Sequence, residues 1–146
     1  MTPQLGHSGY SKRGFTGSRN EPTDAQLDWL WRQFDECTEW HHGACVGADE
    51  ASHQAAIDHG IDGTRLVVHP PINAARRMHY DHRALWLPAK LYLDRNRDIV
   101  DATDELLALP DGPERLQSGT WSTIRYAVKV ARPVAICYPG GRVEVR

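Results

Sequence analysis

Three glycine-containing segments carry the residue types that bind anions. Each segment follows an apolar stretch and leads towards a predicted helix, and its small residues let backbone amides approach a ligand. Helix N-termini add unpaired N–H groups and the positive end of the helix dipole, and hydroxyl and guanidinium groups add further donors. The pattern predicts a cradle for a phosphate-bearing small molecule. The candidate ligand-binding residues of the three segments are Gly17, Ser18, Arg19, Gly43, Gly47, Asp49, Ser118, Gly119 and Thr120.

The glycines do not form either of the common nucleotide-binding motifs. Neither G-x-G-x-x-G nor G-x-x-x-x-G-K-[ST] occurs in the chain. The sequence therefore argues against an ordinary NAD-dependent dehydrogenase and against a P-loop NTPase.

Asp49 is also the candidate catalytic residue. It lies in the first turn of a predicted helix, four residues before His53, so the two side chains would share one helix face. A carboxylate and an imidazole in that position could act as an acid–base pair. A carboxylate at a helix start also stabilises the helix dipole without any catalytic role.

The eight histidines do not have the spacing of a metal site. His41 and His42 are adjacent and would point to opposite sides of a strand. No H-E-x-x-H motif or Cys/His zinc spacing occurs. We predict no metal and no cofactor apart from a nucleotide-type ligand. Trp121, in the first turn of a predicted helix, is a candidate for stacking on a base or for packing beneath the adjacent loop.

The elements that would position these residues alternate between strands and helices. Apolar stretches predict strands near residues 13–17, 39–42, 65–69, 105–109 and 133–137, with an edge strand at 143–145. Helical periodicity predicts helices near residues 24–38, 48–60, 95–102 and 119–131. Near-continuous apolar strands are typical of parallel sheets that helices cover on both faces. We therefore predict an α/β fold, a single doubly wound, mostly parallel, Rossmann-like sheet, in which ligands bind beyond the carboxyl ends of the strands.

Length and composition suit one globular domain. The chain has 146 residues, 40% of them hydrophobic, and 17 Lys+Arg against 19 Asp+Glu give a net charge of −2. We expect a flexible tail at residues 1–12 and one domain at residues 13–146. No apolar run approaches the roughly 18 residues that span a bilayer, and the N-terminus lacks the apolar region of a signal peptide. Three widely spaced cysteines do not predict a disulfide framework, so we expect a cytoplasmic protein without a membrane partner.

A basic stretch within residues 72–90 leaves a nucleic-acid partner open. It contains Arg76, Arg77 and Arg83, and such a stretch is either a solvated loop or a nucleic-acid groove. The net charge of −2 gives no support for broad DNA binding, so a nucleic acid is the less favoured partner.

Four motifs occur in an order that resembles the SLOG superfamily. They are GFTGSR at residues 14–19, GACVGAD at 43–49, RNRDIV at 95–100 and SGTWST at 118–123. This superfamily includes the lonely-guy phosphoribohydrolases, the Rossmann domain of DNA-processing protein A and YpsA-like proteins. The resemblance covers roughly residues 13–140 and is nearest to the small YpsA-related proteins, which also occur in phages and mobile elements. It implies a Rossmann-like fold, a nucleotide or ADP-ribose-like ligand, ligand contacts from Arg95 and Asn96, and a possible homodimer.

The lonely-guy motif P-G-G-x-G-T-x-x-E is only partly present. When the motif is aligned on Gly119 and Thr120, Thr123 occupies its Glu position, and a threonine supplies no carboxylate for N-glycosidic cleavage. We therefore expect binding or sensing of a nucleotide-derived ligand, either ADP-ribose-like or a nucleoside phosphate. The alternatives are a nucleotide N-glycosidic hydrolase, in which Asp49 replaces the missing Glu, and a nucleic-acid-binding module.

Overall fold

Seven strands and four helices follow one another along residues 11–146, the part of the chain that the computed structural model describes. The strands are β1 (Ser11–Gly17), β2 (Cys37–His42), β3 (Leu66–Val68), β4 (Leu85–Trp86), β5 (Glu105–Leu109), β6 (Val134–Cys137) and β7 (Val143–Val145). The helices are α1 (Asp24–Arg32), α2 (Ala48–His59), α3 (Tyr92–Asp101) and α4 (Gly119–Lys129). Within these residues, no helix is both long enough and apolar enough to cross a membrane.

The seven strands form one sheet in the order β4-β3-β2-β1-β5-β6-β7. Neighbouring strands are parallel except for β7, which is antiparallel to β6. From β1 the chain passes through α1 to β2 on one side, whereas from β5 it passes through α4 to β6 on the other. The sheet is therefore doubly wound and Rossmann-like, as predicted, and its strand order reverses between β1 and β5.

The sheet separates two helical layers, each with its own hydrophobic core. On one face α1 and α2 pack over Phe15 and Trp40, both almost fully buried. On the other face α3 and α4 contribute Ile99, Trp121 and Ile124. Because helices cover both faces, a ligand reaches the sheet at its edges, and the carboxyl edge beside β1 and β5 is where the connecting loops diverge.

The first helix begins at a capping box formed by Thr23 and Gln26. The Thr23 hydroxyl accepts a hydrogen bond from the Gln26 N–H at 3.2 Å, and the Gln26 side-chain oxygen accepts one from the Thr23 N–H at 3.0 Å. The Gln26 amide also donates to the carbonyls of Pro110 and Cys137, so the helix start is tied to the ends of β5 and β6.

The same helix ends at Arg32 and not at residue 38 as predicted. Residues 33–36 turn instead, because the chain must reverse to enter β2. Phe34 nevertheless packs in the core, whereas Trp31 is 43% exposed beside His59.

Three further boundaries differ from the predictions. β1 begins at Ser11, so residues 11 and 12 belong to the sheet and not to the predicted tail, whose remaining residues lie outside the described part. α3 begins at Tyr92, so Arg95 lies one turn inside the helix. β4 comes from the irregular 72–90 segment, and its two residues are too few for a periodic pattern.

Candidate functional site

A cavity of about 640 Å³ lies at the carboxyl edge of the sheet, where the strand order reverses. Its volume is within the range of cavities that bind small molecules. The loops after β1, β2 and β5 and the first turns of α2, α3 and α4 contribute to its lining. The predicted site residues that line it are Gly17, Ser18, Arg19, Gly43, Asp49, Arg95, Asn96, Ser118, Gly119 and Thr120.

One side of the cavity, which we call the β5-side wall, consists of the lining residues Asp111, Arg115, Gln117, Ser118, Gly119 and Thr120. Ser118 is the N-cap of α4, and its hydroxyl accepts a hydrogen bond from the Trp121 N–H at 3.3 Å. The N–H groups of Gly119 and Thr120 belong to the first turn and have no acceptor within the helix. A Cβ added to Gly119 would meet no atom within 4 Å, so the space beside this backbone is open. The wall therefore presents donors suited to an anionic group.

Four arginines and two aspartates line the cavity. Arg115 pairs with Asp111 at 2.8 Å, and Asp111 also accepts a hydrogen bond from the Asn20 amide at 3.2 Å. Arg19 and Arg76 are exposed, and their guanidinium groups make no hydrogen bond or ion pair with another residue of the described part. These two cations are therefore available to a ligand that carries a negative charge.

Arg95 is a buried residue that connects three of the segments around the cavity. It is 5% exposed, and its guanidinium donates to the carbonyls of Gly43 and His69 and to the Asn96 side-chain oxygen. A Cβ on residue 43 would overlap this guanidinium, which explains why Gly43 is a glycine. Its Nη1 ties α3 to the ends of β2 and β3, and because Arg95 also lines the cavity, its contact with the ligand stays a prediction.

Gly17 and Gly47 let the loop after β1 pack on the start of α2. A Cβ on Gly17 would overlap the Ala48 side chain, and Gly47, at φ +91°, lies against the Arg19 carbonyl. The Ala48 N–H donates to the Ser18 carbonyl at 3.0 Å. Gly47 does not line the cavity and supports the loop from behind, which corrects its prediction as a ligand contact.

Asp49 lies on the opposite side of the cavity, which we call the β2-side wall and define as the lining residues Gly43, Cys45, Asp49, Tyr92, Arg95 and Asn96. Its carboxylate is 6% exposed and accepts a hydrogen bond from the Cys45 N–H at 3.2 Å. The predicted pair with His53 does not form, because that imidazole bonds to His42 instead. Burial raises the pKa of Asp49 to about 6, and the positive charge of Arg95 limits the rise.

Tyr92 brings an aromatic ring to the cavity lining that the sequence analysis missed. It is half-buried, and the Arg95 guanidinium lies 5.2 Å from its ring centroid. Trp121 is fully buried in the core between Tyr138 and Arg146, so of its two predicted roles stacking on a base is wrong and a packing role fits its position. Had α3 been predicted from residue 92, the spacing of three between Tyr92 and Arg95 would have placed both on one face.

Other lining residues that the sequence analysis did not select are Phe15, Thr16, Asn20, Cys45, Ile99, Asp111, Arg115 and Gln117. Asn20, Arg115 and Gln117 are close in sequence to selected residues, so a wider window after each strand would have included them. Ile99 comes from the third turn of α3, and no local pattern points to its place in the cavity.

A chain of hydrogen bonds among histidines lies behind the β2-side wall. His42 Nδ1 accepts from the Ala44 N–H at 3.0 Å, so the His42 proton is on Nε2, which donates to His53 Nδ1 at 2.8 Å. His53 Nε2 then donates to Asp81 at 2.9 Å. Burial holds the pKa of His42 well below its usual range, so the His42 imidazole is neutral at neutral pH.

His41 points to the other side of β2, as predicted. It bonds to His69 at 2.8 Å and to Glu39 at 2.9 Å. Burial lowers the pKa of His69 to about 4. Among residues 11–146, no three or more histidine, cysteine, aspartate or glutamate side chains are grouped so that they could hold a metal ion.

Two of the three arginines in the basic stretch serve local contacts. Arg77 donates to the Pro71 carbonyl, and Arg83 pairs with Asp81 at 2.9 Å. Arg76 alone of the three lines the cavity. The basic stretch therefore contributes one arginine to the cavity, and its other two arginines make local contacts.

In comparisons with known proteins, no protein-family model matches the chain, and no curated protein matches it significantly.

Proposed function

We propose that this protein binds or senses a nucleotide-derived ligand, either ADP-ribose-like or a nucleoside phosphate, in the cavity at the carboxyl edge of the sheet. The observation that carries the proposal is the convergence of donors from separate loops on one space of about 640 Å³. Residues of all four SLOG-like motifs line this space, which supports membership of that superfamily as part of the proposal.

The β5-side wall and Arg19 are the proposed phosphate site. The free N–H groups of Gly119 and Thr120 and the positive end of the α4 dipole favour an anion there. The Arg19 guanidinium adds a charge-assisted hydrogen bond without first breaking a contact within the described part of the protein.

Isothermal titration calorimetry tests the proposal. We expect saturable heat with at least one of AMP, ADP-ribose, cyclic ADP-ribose isomers and NAD. Arg19→Ala should weaken that binding by roughly 10- to 150-fold, because a hydrogen bond to a charged group contributes about 1.5–3 kcal/mol. Arg32→Ala, at an exposed position on α1 away from the cavity, is the matched control and should leave the affinity unchanged. No saturable heat with any of these ligands, on folded protein, would refute the proposal.

A second candidate function is hydrolysis of a nucleotide N-glycosidic bond. It is favoured by one observation, the Asp49 carboxyl in the cavity lining with its raised pKa, which suits a general acid or base. Thr123, in the position of the lonely-guy Glu, is buried and donates to the Gly119 carbonyl.

Chromatography of AMP incubated with the protein distinguishes hydrolysis from simple binding. An enzyme would release free adenine, and Asp49→Asn would lower the rate by at least a hundredfold. Equal, slow release by the wild type and the variant would rule hydrolysis out.

A further inference from the structure

Asp49 places a negative charge in a cavity otherwise suited to anions. Its carboxylate is almost fully buried, and a phosphate in the same cavity would be repelled by it. The hydrogen bond from the Cys45 N–H requires only a neutral acceptor, which an asparagine side chain would provide without the desolvation of a charge. The carboxylate therefore suits a ligand group that is neutral and donates hydrogen bonds.

The residues around Asp49 form one continuous surface with an aromatic ring. The Arg95 guanidinium lies 3.9 Å from the Cys45 sulfur on one side and faces the Tyr92 ring on the other. Cys45 in turn donates its N–H to Asp49. The β2-side wall thus combines a hydrogen-bond acceptor with a half-buried ring supported by a cation.

The two walls are separated by β1, which lies between β2 and β5 in the sheet. Two strand spacings amount to about 10 Å. A nucleotide is long enough to reach from the donors of one wall to the acceptor and ring of the other.

We infer that the β2-side wall is the nucleoside half of the site, where Asp49 accepts hydrogen bonds from the ribose hydroxyls and the Tyr92 ring stacks on the base. This inference rests on the proposed function and extends it, because it names the ligand class as a ribonucleoside 5′-phosphate. The phosphate lies against Gly119 and Thr120, away from the carboxylate.

Three probes separate the parts of the ligand: AMP, 2′,3′-dideoxy-AMP and ribose 5-phosphate. With the wild-type protein, we expect dideoxy-AMP to bind about tenfold more weakly than AMP, since it lacks the donors that Asp49 requires. Asp49→Asn should weaken AMP binding about tenfold and should not weaken dideoxy-AMP binding. The asparagine oxygen still accepts from the Cys45 N–H, and a thermal melt confirms that the variant folds.

The Tyr92 contact is tested with a matched pair of variants. Tyr92→Leu should weaken AMP binding about tenfold, because a stacked base loses its aromatic partner, and should leave ribose 5-phosphate binding unchanged. Tyr92→Phe keeps the ring and should bind AMP as the wild type does.

The outcomes distinguish this inference from the proposed function. If AMP binds and Arg19→Ala weakens it, but Asp49→Asn and Tyr92→Leu change all probes by the same factor or not at all, the inference is wrong and the proposed function stands. If folded wild-type protein gives no saturable heat with AMP, ADP-ribose, cyclic ADP-ribose isomers or NAD, both are wrong.

Discussion

Replacement of Asp49 by asparagine should change the pH dependence of stability in a defined direction. Burial raises the pKa of this carboxyl from 3.8 to about 6, so the folded protein holds its proton more tightly than the unfolded chain does. The free energy of unfolding of the wild type therefore decreases as the pH rises from about 4 to about 6. At neutral pH the ionised Asp49 carboxylate lowers it by about 3 kcal/mol. Asp49→Asn removes that cost.

Urea unfolding of both proteins between pH 4 and pH 8 measures the effect. The free energy of unfolding of Asp49→Asn minus that of the wild type should grow by about 3 kcal/mol across this interval and level off above pH 7. Taking the difference cancels the histidines that titrate in the same interval. Asp28→Asn, at an exposed position on α1, reports what loss of a surface carboxylate does. A difference that is constant with pH would show that Asp49 is not held in a charge-disfavouring environment.

Three further predictions concern the residues around the cavity and the cores beside it. Burial lowers the pKa of His69 from 6.5 to about 4, so the free energy of unfolding of the wild type should decrease by about 3 kcal/mol as the pH falls across that range. If the free energy of unfolding of His69→Gln has the same slope against pH as that of the wild type, this prediction is wrong. Gly43→Ala should lower the free energy of unfolding by about 1–3 kcal/mol, because the added Cβ overlaps the Arg95 guanidinium. Gly119→Ala, where the added Cβ meets no atom, should be as stable as the wild type. Equal urea midpoints for the two variants would contradict this explanation. Trp121→Phe should bind AMP as the wild type does, and a loss of affinity in calorimetry on folded variant would restore the stacking role of Trp121.

The sheet and much of the cavity could be predicted because both follow from local patterns. Strands such as Leu66–Val68 and Val134–Cys137 are apolar throughout, and only a sheet covered on both faces buries such strands completely. Once the strands are placed, their carboxyl ends share one edge, so residues directly after them, such as Ser18 and Gly43, meet there.

The roles of individual side chains depended on helix phase and on distant backbone groups. Trp121 precedes Ile124 by three residues, and this spacing, which places both on the buried face of α4, could have decided between stacking and packing for Trp121. Arg95 bonds to the carbonyls of Gly43 and His69, which are acceptors that every residue carries. No residue type in the sequence marks them, so the anchoring role of Arg95 becomes visible only in the folded protein.

A crystal structure of the protein soaked in AMP tests the central claim most directly. We expect the AMP phosphate within hydrogen-bonding distance of the Gly119 and Thr120 N–H groups and of Arg19, and the adenine base against the Tyr92 ring. A cavity that stays empty at saturating AMP, or AMP bound elsewhere on the surface, would contradict it.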